Sequence, residues 1–194
     1  MEQERSDLLK QRRDWCDSRG KHAADRLVFL DETGLGTKMS RLRGRSACGE
    51  PCRAAIPHGH WKTTTCMGAL RLWEITAPMV RAGAMHANAL RASTQHILVP
   101  TRIADDSIVM DNLSAHKTRG CERQWKQRVV SSCTFLPIAL INPIENAVAK
   151  LKARVRAKAK RTVQALWDTR VDLIDFFKPD ECANYFKACG YDLA

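Results

Sequence analysis

Two short apolar runs in this chain each stop on an aspartate. Leu27-Val28-Phe29-Leu30 ends at Asp31, and Ile108-Val109-Met110 ends at Asp111. Large apolar residues in unbroken succession, rather than alternating with polar ones, predict strands buried on both faces, as at the centre of a sheet with helices on either side. Open sheets of that kind gather ligands at the carboxyl ends of their strands, which is where both acids stand. If the two strands are neighbours, the carboxylates emerge together.

A third acid, Glu145, lies in the run Asn142-Pro143-Ile144-Glu145. Asn is a favoured N-cap, Pro suits the first helical position, and Glu three residues after the cap can reach back to close a capping box. Ile144, Ala147, Val148, Leu151 and Val155 follow at helical spacing and give that helix one apolar face. Its remaining surface carries Lys150, Lys152, Arg154, Arg156, Lys158, Lys160 and Arg161, the densest basic stretch of the sequence.

Around these elements the chain reads as follows. Residues 1–25 predict a helical arm with Trp15 as a main apolar anchor and Gly20 as a stop. Glu32 to Gly36 reads as the turn closing the first strand, and 40–57 as a basic loop containing Arg41, Arg43, Arg45 and Arg53. Trp61–Leu72 and Trp73–Val80 predict further strands in a meander, and Asn88–Leu98 a helix. Asp105-Asp106 reads as a turn before the strand ending at Asp111. Arg119–Arg128 predicts a helix, Val129–Leu136 a strand, and Thr162–Phe177 and Pro179–Cys189 two closing helices, the last capped by Gly190. Strands first, then alternation with helices, predict an α/β fold with a mixed sheet.

Among the 194 residues, 32 Lys+Arg oppose 21 Asp+Glu, a formal net charge of +11 that makes a polyanion the first partner to consider. No apolar run approaches the roughly 20 residues that span a bilayer, and the charged start Met1-Glu2-Gln3-Glu4-Arg5 lacks a signal-peptide core. The expectation is a cytoplasmic, DNA-associated protein without a membrane or a small-molecule cofactor. Its eight cysteines then read as reduced thiols. Cys48 and Cys52 with His58 and His60 can be drawn as a zinc site, but the spacing is irregular for one.

Three converging carboxylates make a hard-oxygen site suited to Mg²⁺ or Mn²⁺. Two such ions can activate a hydroxyl and stabilise the leaving oxygen of a phosphodiester, with the basic helix beside them for the nucleic acid. Each acid also has a purely structural reading. An Asp at a strand end forms turns, and Glu145 can serve its helix as a cap alone.

Several phrases resemble a known family. Val28-Phe29-Leu30-Asp31-Glu32-Thr33, Pro57-His58-Gly59-His60-Trp61-Lys62-Thr63, Val109-Met110-Asp111-Asn112-Leu113-Ser114-Ala115-His116-Lys117 and Asn142-Pro143-Ile144-Glu145 are similar, in the same order, to the catalytic domain of bacterial insertion-sequence transposases of the mariner-like DDE superfamily. The tail Pro179-Asp180-Glu181-Cys182-Ala183-Asn184-Tyr185-Phe186 is similar as well. The resemblance implies an RNase H-like fold over 26–194, with Asp31, Asp111 and Glu145 as the catalytic, metal-binding triad. It implies Mg²⁺ (or Mn²⁺) as cofactor, DNA as partner, and cleavage and strand transfer at transposon ends. Asn112 and His116 become secondary residues that orient a carboxylate or contact phosphate, although His116 can equally open a helix. Lys150, Lys152, Arg154, Arg156 and Lys158 become the DNA-binding set, and a homodimer is possible.

Two departures bear on this expectation. Family members carry a helix-turn-helix region of roughly a hundred residues before the catalytic domain, whereas 25 residues precede the first strand here. End recognition is then expected to be absent or supplied elsewhere. The segment Leu136-Pro137-Ile138-Ala139-Leu140-Ile141 is apolar where the family has a longer polar run. The alternative it motivates is a catalytically inactive DNA-binding remnant.

Overall fold

The computed structural model describes residues 6–18, 22–55, 62–111, 132–136, 142–158, 162, 164 and 176–191; positions 8, 12, 111 and 132–136 are described by backbone alone. The expected helices at Arg119–Arg128 and, for most of its length, Thr162–Phe177 lie outside these residues. So do Gly20, Asn112, His116, His58, His60, Lys160, Arg161 and the 137–141 connection.

Five strands form one sheet: β1 (Leu27–Gly36), β2 (Thr63–Leu70), β3 (Ile75–Ala82), β4 (Ser107–Asp111) and β5 (Ser132–Leu136), in the order β3-β2-β1-β4-β5. The β1–β2–β3 meander is antiparallel, and β4 and β5 run parallel to β1, so the sheet is mixed with β1 at its centre. The helices are α1 (Ser6–Ser18), α2 (Ala87–Ser93), α3 (Ile144–Lys158) and α4 (Pro179–Ala188).

The unbroken apolar run of β1 is explained by a core on each side of the sheet. Leu27, Phe29 and Leu35 pack with Val109 against Ile144, Ala147, Leu151 and Val155 of α3 and Phe186 of α4. Val28 and Leu30 face the other way and pack with Ile108 and Met110 against Leu90 and Leu98. Because successive side chains alternate across a strand, each face of one strand is apolar and no polar alternation appears in the sequence.

The first strand does not end at Asp31. It continues to Gly36, and Asp31 through Gly36 pair with Gly68 back to Thr63 of β2. The Gly-x-Gly that reads as a turn is instead held extended by this cross-strand ladder, with Thr33 and Leu35 buried. The helix expected at Asn88–Leu98 is also altered: α2 stops at Ser93, Thr94–Leu98 forms a π-helical turn and Val99–Thr101 a 3₁₀ turn.

Asp105 and Asp106 part company. Asp105 occupies the turn, with φ of 66°, whereas Asp106 is buried and accepts 3.1 Å and 2.7 Å bonds from the Arg71 guanidinium. Arg71 also donates to the Thr101 carbonyl, and Asp106 accepts from the Ile103 amide. This bidentate pair ties the end of β2 to the start of β4.

The two ends of the described chain meet behind α4. Gly190, at φ of 77°, lets its amide reach the Lys187 carbonyl while the Tyr191 amide reaches that of Phe186, the double bond of a Schellman cap. The turn carries Tyr191 onto Phe29 and Phe186, and its hydroxyl accepts a 3.0 Å bond from the buried Trp15 indole of α1.

Candidate active site

The register places the first two acids. The last β1–β4 pair is Leu30 with Met110, so Asp31 and Asp111 follow one residue later on neighbouring strands, about 4.8 Å apart in the direction across the sheet. Asp31 thus stands inside a strand, at the point where its parallel neighbour ends. Strand alternation assigns positions 31 and 111 to the sheet face of Phe29 and Val109, the face covered by α3. Asp31 is half-buried, and its Oδ1 accepts a 2.7 Å bond from the Glu32 amide. Gly68 lies opposite it on β2, so no cross-strand side chain crowds the carboxylate from that side.

The third acid arrives with α3. Asn142 is buried, and its Oδ1 accepts from the Ile144 amide at 3.4 Å, the N-cap contact expected of it. The return bond of a capping box is not formed: among the described residues no hydrogen bond or ion pair engages the Glu145 carboxylate. Ile144 lines the same small cavity, about 30 Å³, as Asp31, together with Thr33, Cys66, Phe177 and Ala147. The first turn of α3 therefore starts beside Asp31, and Glu145 begins its exposed flank.

All three candidate acids are carboxylates, a donor type that fits a hard divalent cation and not a soft one. Among the described side chains no group of three His, Cys, Asp or Glu is gathered, position 111 being described by backbone alone. Cys48 and Cys52 are exposed thiols in the 40–55 loop.

The basic face of α3 is divided by its surroundings. Lys150 Nζ bonds the Glu181 carboxylate at 2.5 and 2.6 Å and lies 4.1 Å from the Phe176 ring centroid. Arg154, one turn on, stacks on the same ring at 4.0 Å. Tyr185 completes this cluster by donating to Glu181 at 2.6 Å. Partial burial works to raise the Glu181 carboxyl, but the bonds from Lys150 and Tyr185 and the Lys150 charge outweigh it and hold the group below its ordinary range. Burial, then the bond to Glu181 and its charge, pushes the Tyr185 phenol up. Lys152 and Arg156 project to the other flank, where with Lys38 they border an open groove. The packing of Lys150 and Arg154 leaves no trace in local sequence pattern, because their partners Glu181 and Phe176 lie on a later stretch of the chain.

Residues 26–166 match the DDE superfamily endonuclease family. The chain belongs to that family. Solved structures with a similar fold include the Mos1 transposase paired-end complex with left transposon end, at a TM-score of 0.69 and 14% identity over 95% of this chain and 59% of that one. The Mos1 transposase catalytic domain with raltegravir and Mn gives 0.62 and 12% over 95% and 88%. The catalytic domain of Mos1 mariner transposase gives 0.58 and 12% over 94% and 84%. At these identities the likeness is one of fold, and it establishes the RNase H-like sheet expected above. The DDE chain described here spans 59% of the length of the transposase chain in the paired-end complex. No curated protein matches it by sequence.

Proposed function

We propose that this DDE endonuclease domain is the catalytic domain of a mariner-like transposase of a bacterial insertion sequence, cutting and joining DNA with Asp31, Asp111 and Glu145. The observation that carries this reading is the junction of β1, β4 and α3: two neighbouring strands reach their acids at the same level, and the helix bearing Glu145 starts against the same cavity as Asp31. Among the described residues Glu145 makes no bond to its own helix cap, which supports a use for its carboxylate in the chemistry. Mg²⁺ or Mn²⁺, the ions of two Mos1 mariner paired-end complexes, would supply activation of the attacking hydroxyl and charge neutralisation at the phosphodiester when held by these carboxylates.

The protein's own part is positioning. Asp31 is fixed by the Glu32 amide and by a ladder on its β2 side. Glu145 is fixed by the buried stripe of α3, and α3 in turn by the Lys150–Glu181 contact with α4. Asn112 and His116 would orient the second acid or meet a phosphate. DNA would lie over the flank with Lys152 and Arg156, while Lys150 and Arg154 support the helix from the other side and Lys158 extends the basic surface. A homodimer and a cytoplasmic, DNA-associated location belong to the same reading. Among the described residues no helix is long and apolar enough to cross a membrane.

The test is nicking of supercoiled plasmid carrying the element's ends, with Mg²⁺ or Mn²⁺. Cleavage that vanishes with Asp31→Asn or Asp111→Asn supports the proposal. Salt-sensitive DNA binding with no metal-dependent cleavage by the unaltered protein would instead identify a binding remnant.

A further inference from the structure

Beyond Asp31, β1 runs on for five residues paired only with β2 among the described strands, since β4 has its last β1 partner at Leu30. Against this outer half of β1 lies an open groove of about 460 Å³. Gly34, Gly36, Met39 and Thr63 line it together with three cations, Lys38, Lys152 and Arg156. Lys38 stands on a turn fixed by bonds from the Met39 amide to the Gly36 carbonyl and from the Thr37 amide to that of Lys62. Lys152 and Arg156 follow Glu145 by 7 and 11 residues, spacings that return to one side of a helix.

The electrostatics are unbalanced. Among the described residues no carboxylate pairs with Lys38, Lys152 or Arg156, whereas Lys150 on the opposite flank is neutralised by Glu181. Three like charges around a concavity raise one another's energy and attract a polyanion. The two glycines in the lining let a bulky backbone come close to the strand.

From this juxtaposition we propose that the groove between the outer half of β1 and the Glu145 flank of α3 is a phosphate-tracking subsite for one DNA strand, held by Lys38, Lys152 and Arg156. The proposal rests on the DNA-cleaving reading for its polarity: the strand leaves the carboxylates and runs toward Gly36. At about 3.4 Å per residue, Gly34 and Gly36 lie about 10–17 Å from Asp31. That corresponds to about three to five nucleotide steps of a B-form strand, so the phosphates contacted are three to five from the scissile one.

The test measures affinity of the full chain for a transposon-end duplex as a function of NaCl. Each neutralised phosphate contact contributes about 0.9 to the slope of log K against log salt. Lys38→Ala, Lys152→Ala and Arg156→Ala should each lower the slope by about one, and Arg154→Ala should not. Methylphosphonate linkages three to five nucleotides from the cleavage point should abolish the difference between Lys38→Ala and the unaltered protein. The proposal is overturned if the slope ignores Lys38 and Lys152, if Arg154→Ala has the same effect as they do, or if the unaltered protein does not bind DNA. Slopes that respond in a protein that never nicks would overturn the catalytic reading alone; nicking that depends on Asp111 with unresponsive slopes would overturn the groove alone.

Discussion

The two flanks of α3 carry the same kind of residue and do different things. On one, Lys150 and Arg154 are laid across Phe176, and Lys150 is locked to Glu181. On the other, Lys152 and Arg156 border an open groove downstream of Glu145. A residue's charge says only that it needs an anion; which anion depends on what the fold puts within reach. Where α4 supplies Glu181, the lysine becomes part of the scaffold. Where nothing described supplies one, the cations stay open at the groove. Arg71 marks the extreme of the first kind, buried with Asp106 at side-chain exposures of 6% and 1%.

This contrast can be broken at several points. The largest effect is expected at the head of the open flank: Glu145→Gln should cut metal-dependent cleavage about 10³-fold, about 4 kcal/mol of transition-state stabilisation. DNA affinity and melting temperature should stay near those of the unaltered protein. A matching fall in melting temperature would show that Glu145 serves the helix and not the chemistry. Next comes the captive arginine. Arg71→Ala strands the buried Asp106 carboxylate and should cost about 3–5 kcal/mol in denaturant unfolding, with no separate change in the salt dependence of DNA binding.

Lys150 should rank below both. Lys150→Met keeps its stem on Phe176 but loses the ion pair and the cation–ring contact, worth about 1–2 kcal/mol together. Its signature is lost stability with an unchanged DNA salt slope; a lowered slope would place Lys150 with the phosphate-binding cations and dissolve the distinction between the flanks. The smallest effect is a pH dependence. Glu181 is held below its ordinary range, so its contribution to stability is fully present above the unfolded-state value of about 4.3 and is lost as pH falls through the folded value. Acidification below about pH 4 should therefore lower the melting temperature, and Glu181→Gln should flatten that part of the profile.

Much of the fold was legible because local pattern and final environment agree. Leu27–Leu30 and Ile108–Met110 read as central strands, and both are buried on two faces. Asn142-Pro143-Ile144 reads as a helix start, and the Asn142 cap contact forms. Pattern failed where a distant partner overruled it. Glu32–Gly36 has the composition of a turn, yet it is a strand because Thr63–Met67 pair with it. Asp106 has the look of a turn acid, yet Arg71 reaches it from 35 residues away.

The sequence by itself determined the sheet's central strands, the three acids and the strongly positive balance, because each depends on residue type and spacing within a short segment. Only the tertiary structure decided that Asp31 sits within a strand, that Glu145 is spared from its cap, and that the cations of α3 divide into a packed flank and an open one. Those outcomes turn on the register between strands and on which side of a helix its neighbour covers. Both are properties of contacts between segments, and no segment carries them alone.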